Sequence, residues 1–336
     1  MNINVEKLPK KLNEFNYFKK EENSCRMFSY GIKSALIIVV DFNELEIEND
    51  FCVDSKSLEM VRLLYPCNVK IVDKRFIGES KKWKYKSKLI ETTNFIKPDL
   101  EFTNKCVANL EVLKVANCFV SKSESRPILT GVHLDMNGGI EATDSFTAFR
   151  YLNDNNDKVD CERENSIIIP NQFIDYITKN LDNENQEVII NFNEKSCMVK
   201  LNDSMFIHRL IAGKYPDLSR IFNGIKSNKF LKFNKDELKE KLTISKNLGV
   251  KATSSQINVT FDNGKFIAEG ENDFDCELLT LNNENDYQFT LSLEKLDVVV
   301  NNLSSEEINL GYTGTLYSLL FKDTNYDILL QPIRRY

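Results

Sequence analysis

The nearest approach to a catalytic pattern in this chain is a Pro-Asp pair followed by a Glu-x-Lys triplet. Pro216-Asp217 precedes Glu237-Leu238-Lys239. Such residues could hold a divalent metal with two acids and place a lysine beside an attacking water, as in metal-dependent nucleases. Pro-Asp recurs at Pro98-Asp99 with no Glu-x-Lys after it. A turn shared by two related segments explains both copies, so we keep the nuclease as an alternative and predict no enzyme.

Metal and cofactor sites are not indicated elsewhere. The eight cysteines are scattered without a C-x-x-C pair, and only His133 and His208 could assist them. We therefore expect reduced, mostly buried thiols in place of a zinc site. Gly213-Lys214 lacks the earlier glycine and the following Ser or Thr of a phosphate loop. The sequence predicts no cofactor and no metal.

Lysines recur at helical spacing in one segment. Lys235, Lys239 and Lys246 fall near one helical face, away from Leu238 and Leu242, and Lys7 and Lys11 repeat the four-residue interval. A solvated face and a phosphate-binding face both fit this pattern. The net charge of −6 excludes a chain that is basic throughout, as many nucleic-acid binders are.

The length of 336 residues exceeds one ordinary hydrophobic core, and 42% hydrophobic with 28% charged residues indicates a globular chain of two or three domains. The longest apolar run, 35–40, is far below the roughly 20 residues of a membrane helix. The first residues have no apolar signal-peptide core. We expect a cytoplasmic protein that does not bind membranes.

An order of elements recurs three times. A helical stripe at 54–64, 171–181 or 292–303 is followed each time by short β-branched runs, and the first two copies end on related Pro-Asp segments. Each copy also opens with a predicted helix, marked by Leu8, Leu12 and Phe15, by Cys106, Leu110 and Leu113, and by Leu238 and Leu242. We predict an α+β fold of three repeats, each with two helices packed on antiparallel sheet: a first repeat (1–103), a second (104–226) and a third (227–336).

Three segments carry a family resemblance. Arg126-Pro127-Ile128-Leu129-Thr130-Gly131-Val132 with Ala142-Thr143-Asp144-Ser145-Phe146, then 210–217, then Leu329-Leu330-Gln331-Pro332-Ile333-Arg334 lie in order. Together they resemble the bacterial DNA polymerase III β subunit, the sliding clamp. The resemblance covers about residues 104–336 and is weak before them. Thr147-Ala148 stands where the family has Arg-Leu, and Gln331 where it has Met.

The resemblance implies a ring-shaped homodimer of six clamp units around duplex DNA, bound without sequence specificity, with the opening helices lining the hole. Its implied partners are a replicative DNA polymerase, an ATP-driven clamp loader and other proteins with clamp-binding motifs, and its role is that of a processivity factor. Leu248 is the candidate anchor of the dimer interface. The implied DNA-contacting residues are Lys7, Lys11, Lys20, Lys122, Lys179, Lys235, Lys239 and Lys246.

A peptide pocket between the second and third repeats is also implied. Apolar walls would bury an anchor of a partner's short motif, and polar groups would set its register. The implied lining is Leu129, Thr143, Asp144, Ser145, Phe146, Leu316, Leu329, Leu330, Gln331, Pro332, Ile333 and Arg334. Plain sheet core is the alternative for the leucines. A clamp-derived accessory protein that closes no ring is the alternative for the whole chain.

Overall fold

A computed structural model describes residues 3, 8, 12–22, 24–31, 36–42, 47–91, 98, 100–135, 138–152, 166–180, 187–201, 204–225, 227, 229–250, 256–278, 280–282, 286–314 and 317–334. The chain separates into two compact units, a first unit of residues 1–107 with 172–210 and a second unit of residues 108–171 with 211–336. These units group the chain by packing, and the boundaries of the three sequence repeats stay a prediction. No helix within the described ranges is long and apolar enough to cross a membrane.

The first repeat opens on strands. Its elements are β1 (Phe15–Lys20), β2 (Cys25–Tyr30), β3 (Leu36–Phe42), β4 (Phe51–Asp54), α1 (Ser55–Leu64), β5 (Asn68–Val72), β6 (Arg75–Glu79) and β7 (Lys84–Lys88). The opening helix predicted here is wrong at Phe15, because buried Asn16 and Phe18 alternate with more exposed neighbours and β1 pairs with both β2 and β4. The second helix is confirmed, with Asp54 accepting a cap hydrogen bond from Ser57 N at 2.7 Å.

The second repeat keeps the strand-then-helix order. It contains β8 (Asn104–Asn109), α2 (Leu110–Ala116), β9 (Gly131–Leu134), β10 (Ile140–Thr143), β11 (Thr147–Tyr151), β12 (Ile167–Pro170), α3 (Asn171–Asn180), β13 (Glu187–Phe192), β14 (Ser196–Leu201), β15 (Ser204–Arg209) and α4 (Leu218–Gly224). The opening helix is confirmed at Leu110 and Leu113 but wrong at Cys106, which lies in β8. The helix starts late because Asn109 caps it, accepting from the backbone of Glu111 and Val112.

The third repeat contains both of its predicted helices, and strands follow each of them. Its elements are β16 (Lys229–Asn234), α5 (Lys235–Ser245), β17 (Asn258–Asp262), β18 (Lys265–Glu269), β19 (Asp273–Glu277), β20 (Gln288–Ser292), α6 (Leu293–Asn302), β21 (Glu307–Tyr312), β22 (Leu319–Lys322) and β23 (Tyr326–Leu330). The opening helix α5 is confirmed, and Leu238 and Leu242 are buried on it. Ser292 occupies the predicted N-cap position of α6, but its hydroxyl bonds Gln256 at 3.2 Å and makes no cap hydrogen bond.

Antiparallel sheets join neighbouring repeats. The described strands form a first large sheet (β4-β1-β2-β3-β15-β14-β13-β8), a second large sheet (β12-β9-β10-β11-β23-β22-β21-β16), a four-stranded sheet (β19-β18-β17-β20) and a three-stranded sheet (β5-β6-β7). The junctions in the large sheets are β3 with β15 and β11 with β23. Each large sheet therefore draws half its strands from one repeat and half from the next.

Candidate functional site

Most of the predicted pocket residues lie together in the second unit. Strand β11 runs antiparallel to β23, with Thr147 opposite Leu330, so the turn after β10 meets the tail after β23. Gln331 N donates to Phe146 O at 2.9 Å across this meeting point. Leu129 lies in a 3-10 turn before β9. Leu316 falls outside the described residues.

Asp144 organises the turn between β10 and β11. Its Oδ1 accepts from Phe146 N at 2.9 Å, from Thr147 N at 2.7 Å and from Thr147 Oγ1 at 2.8 Å, while Lys295 Nζ donates to Oδ2 at 2.6 Å. The Asp144 side chain is only 8% exposed. Burial alone would raise its pKa, but the Lys295 ammonium and the turn donors outweigh burial and hold the pKa below its usual range.

The turn presents Phe146 to solvent. Ser145 has a φ of 80°, the left-handed region that non-glycine residues seldom occupy. Thr143 Oγ1 donates to Thr147 O at 2.6 Å and accepts from Ser145 N at 3.1 Å. With its neighbours held in this way, the Phe146 ring is 63% exposed. A hydrogen-bonded turn therefore displays one large apolar side chain.

Thr147 stands where the family pattern has an arginine, but its side chain is buried and cannot offer a partner a polar contact. It is 3% exposed and its hydroxyl is engaged by Asp144. A cation is available on the other side of the turn, where Arg126 donates to Ser145 Oγ at 3.0 Å and is exposed. Arg150 is engaged by Asp327 at 3.4 Å, and its guanidinium lies 4.2 Å from the centre of the Phe222 ring.

An apolar cluster lies beneath the predicted pocket. Leu129 and Leu329 belong to it at 6% and 3% exposure, so for these two the sheet-core alternative describes their packing. Helix α4 contributes residues that were not predicted: Leu218 and Phe222 complete the cluster, and Ile221 is 47% exposed. The three-to-four-residue spacing of these side chains after Pro216-Asp217 is the signal that could have found them. The full cluster is Leu129, Ala148, Ile168, Tyr215, Leu218, Phe222, Leu320 and Leu329, with Ile128, Ile211 and Ile225 packed against it.

The tail after β23 is tied to the second unit. Ser318 Oγ donates to Gln331 Oε1 at 2.7 Å, and Ile333 N donates to Thr290 O at 2.8 Å. Pro332 is buried and Arg334 is exposed. The backbone hydrogen bond of Ile333 therefore holds this predicted lining residue in place.

The lysines predicted on α5 are less free than expected. Lys235 donates to the Leu303 carbonyl, and burial lowers its pKa. Lys246 is the C-cap of the helix and forms an ion pair with Asp297 at 2.7 Å. Lys239 is half-buried within the helix. Two of the three cations are therefore already engaged by the second unit.

The other predicted DNA-contacting lysines occupy different settings. Lys122 lies in the loop after α2, 93% exposed and 3.8 Å from Glu294. Lys179 is exposed in the last turn of α3. Lys20 is the last residue of strand β1, and its Nζ donates to Glu48 O at 3.3 Å. Lys7 and Lys11 fall outside the described residues.

Two acids of the alternative nuclease pattern, Asp217 and Glu237, form ion pairs with nearby cations. Asp217 pairs with Arg220 at 3.4 Å and Glu237 with Lys241 at 3.1 Å. Within the described ranges, no three His, Cys, Asp or Glu side chains are grouped to hold a metal ion.

The cysteines mostly follow the prediction of buried, reduced thiols. Cys25, Cys52, Cys67, Cys106 and Cys197 are free and buried, and burial raises the pKa of Cys25 to about 12. Cys118 is exposed, which the prediction did not distinguish. Cys161 falls outside the described residues.

Residues 107–217 match the central domain of the DNA polymerase III beta subunit. Over this range, which is about a third of the chain, the sequence is distantly similar to the DNA polymerase III beta-subunit family. The matched range includes Leu129, the Asp144 turn and Tyr215. Tyr215 was not among the predicted pocket residues, but it packs in the apolar cluster. The family is one of sliding clamps and not of enzymes, in agreement with the prediction.

Beta sliding clamps of two staphylococci align with the same part of the chain. That of Staphylococcus epidermidis is 32% identical over 116 residues and that of Staphylococcus aureus 34% over 115 residues. Each alignment covers 33% of this chain and 29% of the relative, so the chain matches less than a third of the length of these curated relatives.

Solved clamp structures share the fold over nearly the whole chain. The beta subunit of Streptococcus pyogenes has a TM-score of 0.79 at 16% identity, covering 98% of this chain and 95% of that one. The sliding clamp of Bacillus subtilis has a TM-score of 0.77 at 18% identity, with 96% and 91% covered. The α+β clamp fold therefore extends through the first repeat, where sequence resemblance is weak.

Proposed function

We propose that this chain is a sliding clamp, a processivity factor that encircles duplex DNA as a ring of two copies and tethers a DNA polymerase. The observation that carries the proposal is the order of the strands in the sheets. The four-stranded and the three-stranded sheets each correspond to one part of the first large sheet, so sheets of two copies could join into a further large sheet. The match of residues 107–217 to the central domain of the DNA polymerase III beta subunit supports the same function, and the names of the staphylococcal relatives agree with it.

The half-sheets follow from the strand orders. In the first large sheet, β4-β1-β2-β3 continues into β15-β14-β13. The four-stranded sheet, written β20-β17-β18-β19, corresponds to β4-β1-β2-β3, and the three-stranded sheet, written β7-β6-β5, corresponds to β15-β14-β13. Strand β19 of one copy could therefore pair with β7 of a second copy, as β3 pairs with β15. Two such pairings between two copies would close a ring.

Leu248 suits the interface assigned to it. It follows α5 directly, and its carbonyl accepts from Asn272 N at 3.1 Å in the turn that leads into β19. Its side chain is half-buried. We infer that Leu248 lies beside the edge that a second copy would cover, where its remaining apolar surface would be buried.

An acidic chain is compatible with encircling DNA. A clamp must slide, and each phosphate that a lysine neutralises strengthens binding and its salt dependence. Positive charge is needed only where the duplex passes, so a net charge of −6 does not oppose the proposal. Lys122, Lys179 and Lys239 are our strongest candidates for this surface, since Lys235 and Lys246 are engaged within the second unit.

We further propose that the turn of Asp144 and the tail after β23 bind short hydrophobic motifs of a polymerase, a clamp loader and other partners. Exposed Phe146 and Ile221 are suited to pack on an apolar anchor, and Arg126 and Arg334 to meet acidic groups beside it. An ATP-driven loader is part of the proposal, because a closed ring cannot thread onto circular DNA by itself.

Retention on circular DNA tests the proposal. After loading onto nicked circular DNA, the protein should remain bound through a wash at high salt, and linearising the circle should release it. Light scattering at micromolar concentration should report two copies. A strict monomer would contradict the ring and favour the non-ring accessory protein. Magnesium-dependent DNA cleavage that Asp217→Ala abolishes would favour the nuclease.

A further inference from the structure

The three-stranded sheet of the first unit carries a concentration of positive charge. Residues 66–90 contain eight Lys or Arg side chains against two acids, a net charge of +6 in a chain whose net charge is −6. All eight cations are exposed. Residues 81–88, which read KKWKYKSK, form the turn before β7 and the strand itself. This segment therefore attracts anions although the chain as a whole is acidic.

The cations of the strands and helix α1 lie on opposite faces of this sheet. Ser57 Oγ of α1 donates to Ser87 Oγ at 2.8 Å, so α1 covers the face of Ser87. Lys86 neighbours Ser87 in β7 and therefore lies on the other face, where Ile77 and then Lys70 are directly across from it. The cationic face, as we call it, consists of Lys70, Arg75, Lys84, Lys86 and Lys88.

Little of this charge is neutralised within the protein. Glu79 lies on the same face and accepts from Lys70 at 2.7 Å and from Lys84 at 3.2 Å, and these hydrogen bonds lower its pKa. Among the described residues, these two are the ion pairs of the cationic face. Such exposed pairs contribute little to stability, so an anionic ligand can compete for the lysines at small cost.

An exposed tryptophan lies beside the cationic face. Trp83, the single tryptophan of the chain, is 67% exposed in the turn that precedes Lys84. Its backbone is held by Ser80, because Trp83 N donates to Ser80 Oγ at 3.3 Å and Ser80 N donates to Trp83 O at 2.8 Å. An exposed indole ring can stack on a nucleobase.

Protection of a free strand edge does not account for this arrangement. Lysines on an edge strand discourage pairing with other chains, and that role fits the lysines of β7. Arg75, however, lies on the central strand β6, and Lys81 and Lys82 lie in the turn. An exposed Trp83 would work against such protection. The combination of cations with an exposed ring therefore calls for a ligand.

We propose that the cationic face and Trp83 bind single-stranded DNA, with phosphates on the cations and a base stacked on the indole ring. Proteins that hold single strands without reading their sequence combine a positively charged surface for the backbone with aromatic rings for the bases. An acidic peptide would match the charge but has no base to stack. The bases of a duplex stack on one another and leave the ring unused.

This site is separate from the surface that would face an encircled duplex. Helix α1 lies on the opposite side of the sheet, and strand side chains stand roughly perpendicular to the sheet. Backbone pairing along the edge of β7 would therefore leave the cationic face uncovered. The inference goes beyond the proposed ring, and a monomeric chain would keep the site, since all its residues lie in the first unit.

Fluorescence of Trp83 tests the site directly, because the chain has no second tryptophan. Titration of the full-length chain with an oligothymidylate of about 16 nucleotides should quench the emission to saturation. A duplex of the same length should need about tenfold higher concentration for the same quenching, since its bases are not free to stack. Absence of quenching overturns the proposal. Equal quenching by the duplex, by oligoglutamate or by vesicles of anionic lipid also overturns it.

Substitutions separate the contribution of the cations from that of the ring. Lys70→Gln with Lys86→Gln should lower the slope of log Kobs against log salt by about 1.4, because each phosphate contact of a single strand contributes about 0.7. Trp83→Ala, measured by the anisotropy of a labelled oligothymidylate, should bind about tenfold more weakly with the slope unchanged, and Trp83→Phe should regain most of the loss. Lys195→Gln with Lys200→Gln, exposed lysines elsewhere in the first unit, is the matched control and should keep both affinity and slope.

Each outcome decides one part of the proposal. An unchanged slope in the Lys70 and Lys86 variant overturns the cationic face, and unchanged affinity in Trp83→Ala overturns the stacking. A control variant that loses as much as the Lys70 and Lys86 variant shows general charge attraction and overturns the site. If a variant does not fold, the fluorescence titration of the unchanged protein still decides. Failure of the ring, seen as a strict monomer in light scattering, leaves this site standing, so the two failures are distinguishable.

Discussion

Asp144 is the residue on which the predicted pocket depends most. Its carboxylate holds two backbone N–H groups, the Thr147 hydroxyl and the Lys295 ammonium, and so connects the β10–β11 turn to α6. The resemblance to the family pointed to this residue as pocket lining. Its more direct role in the structure is to position Phe146.

Replacing Asp144 by Asn should destabilise the fold. The substitution leaves the Lys295 ammonium without its anion in a largely buried setting, so we expect a loss of about 2 kcal/mol in the free energy of unfolding, measured by urea titration. Asp286→Asn is the control, since the Asp286–Lys229 pair is exposed and should contribute nothing measurable. Equal effects in the two variants would contradict the role assigned to Asp144.

Acid should remove the contribution of Asp144. Its pKa is lowered in the fold, so below the ordinary value near 3.8 the unfolded chain binds more protons than the folded one. The contribution is therefore present in full above that pH and is lost as pH falls through the lower folded value. The difference in unfolding free energy between the unchanged protein and Asp144→Asn should shrink over that window. A difference in unfolding free energy that stays constant down to pH 2 would contradict this role of the Asp144 carboxylate.

Phe146 should affect binding without affecting stability. Its ring is 63% exposed, so Phe146→Ala removes little core packing, but it removes an apolar contact for a partner peptide. We expect about tenfold weaker binding of a synthetic hydrophobic clamp-binding peptide, or about 1.4 kcal/mol, by calorimetry. Tyr65→Ala, which removes another exposed ring in the first unit, should leave binding unchanged. Unaltered affinity in Phe146→Ala would move the binding site away from this turn.

At the scale of elements, helices with a clear apolar stripe were predicted well. The stripes that predicted α1, α3 and α6 are the buried faces of those helices. One error lies where a strand runs straight into a helix, as β8 does into α2, because a spacing of 106, 110 and 113 fits a helix although its first member is in the strand. Strand β19 was missed because its alternation of acidic residues with Phe274 and Cys276 lacks the β-branched run of a typical strand signal.

Capping makes the helix boundaries testable. Asn234 caps α5 by accepting from Glu237 N at 2.9 Å, whereas Ser292 makes no cap bond on α6. Asn234→Ala should therefore cost about 1 kcal/mol of unfolding free energy in urea titration. Ser292→Ala should cost less, although both residues precede helices of similar length. The reverse order would show that caps do not set these boundaries.

In the whole molecule, each large sheet combines strands of two neighbouring repeats, so the packed units do not coincide with the sequence repeats. The repeated order of elements could be found in the sequence because each copy needs its own helical stripe. The pairing of β3 with β15 and of β11 with β23 could not, since strand partners distant in sequence leave no local pattern.

A fragment containing only the first repeat should not fold to a soluble monomer. Residues 1–103 lack β15, β14, β13 and β8, which complete the first large sheet. The fragment would expose the edge of β3, whose sequence LIIVVDF is strongly apolar, and such edges aggregate. Light scattering and circular dichroism of the expressed fragment should report aggregates, with the full chain as control. A monodisperse, folded fragment would contradict this.

The interleaved sheets also determine how this protein could exchange parts with a relative. A cassette cut at residues 103 and 226 would carry strands whose hydrogen-bonding partners remain behind in the recipient. A chimaera that moves residues 1–107 together with 172–210 transfers one packed unit with nearly all of its sheet. The modules open to recombination are thus pairs of separate segments, and a single crossover between repeats would join strands that were not selected to pair.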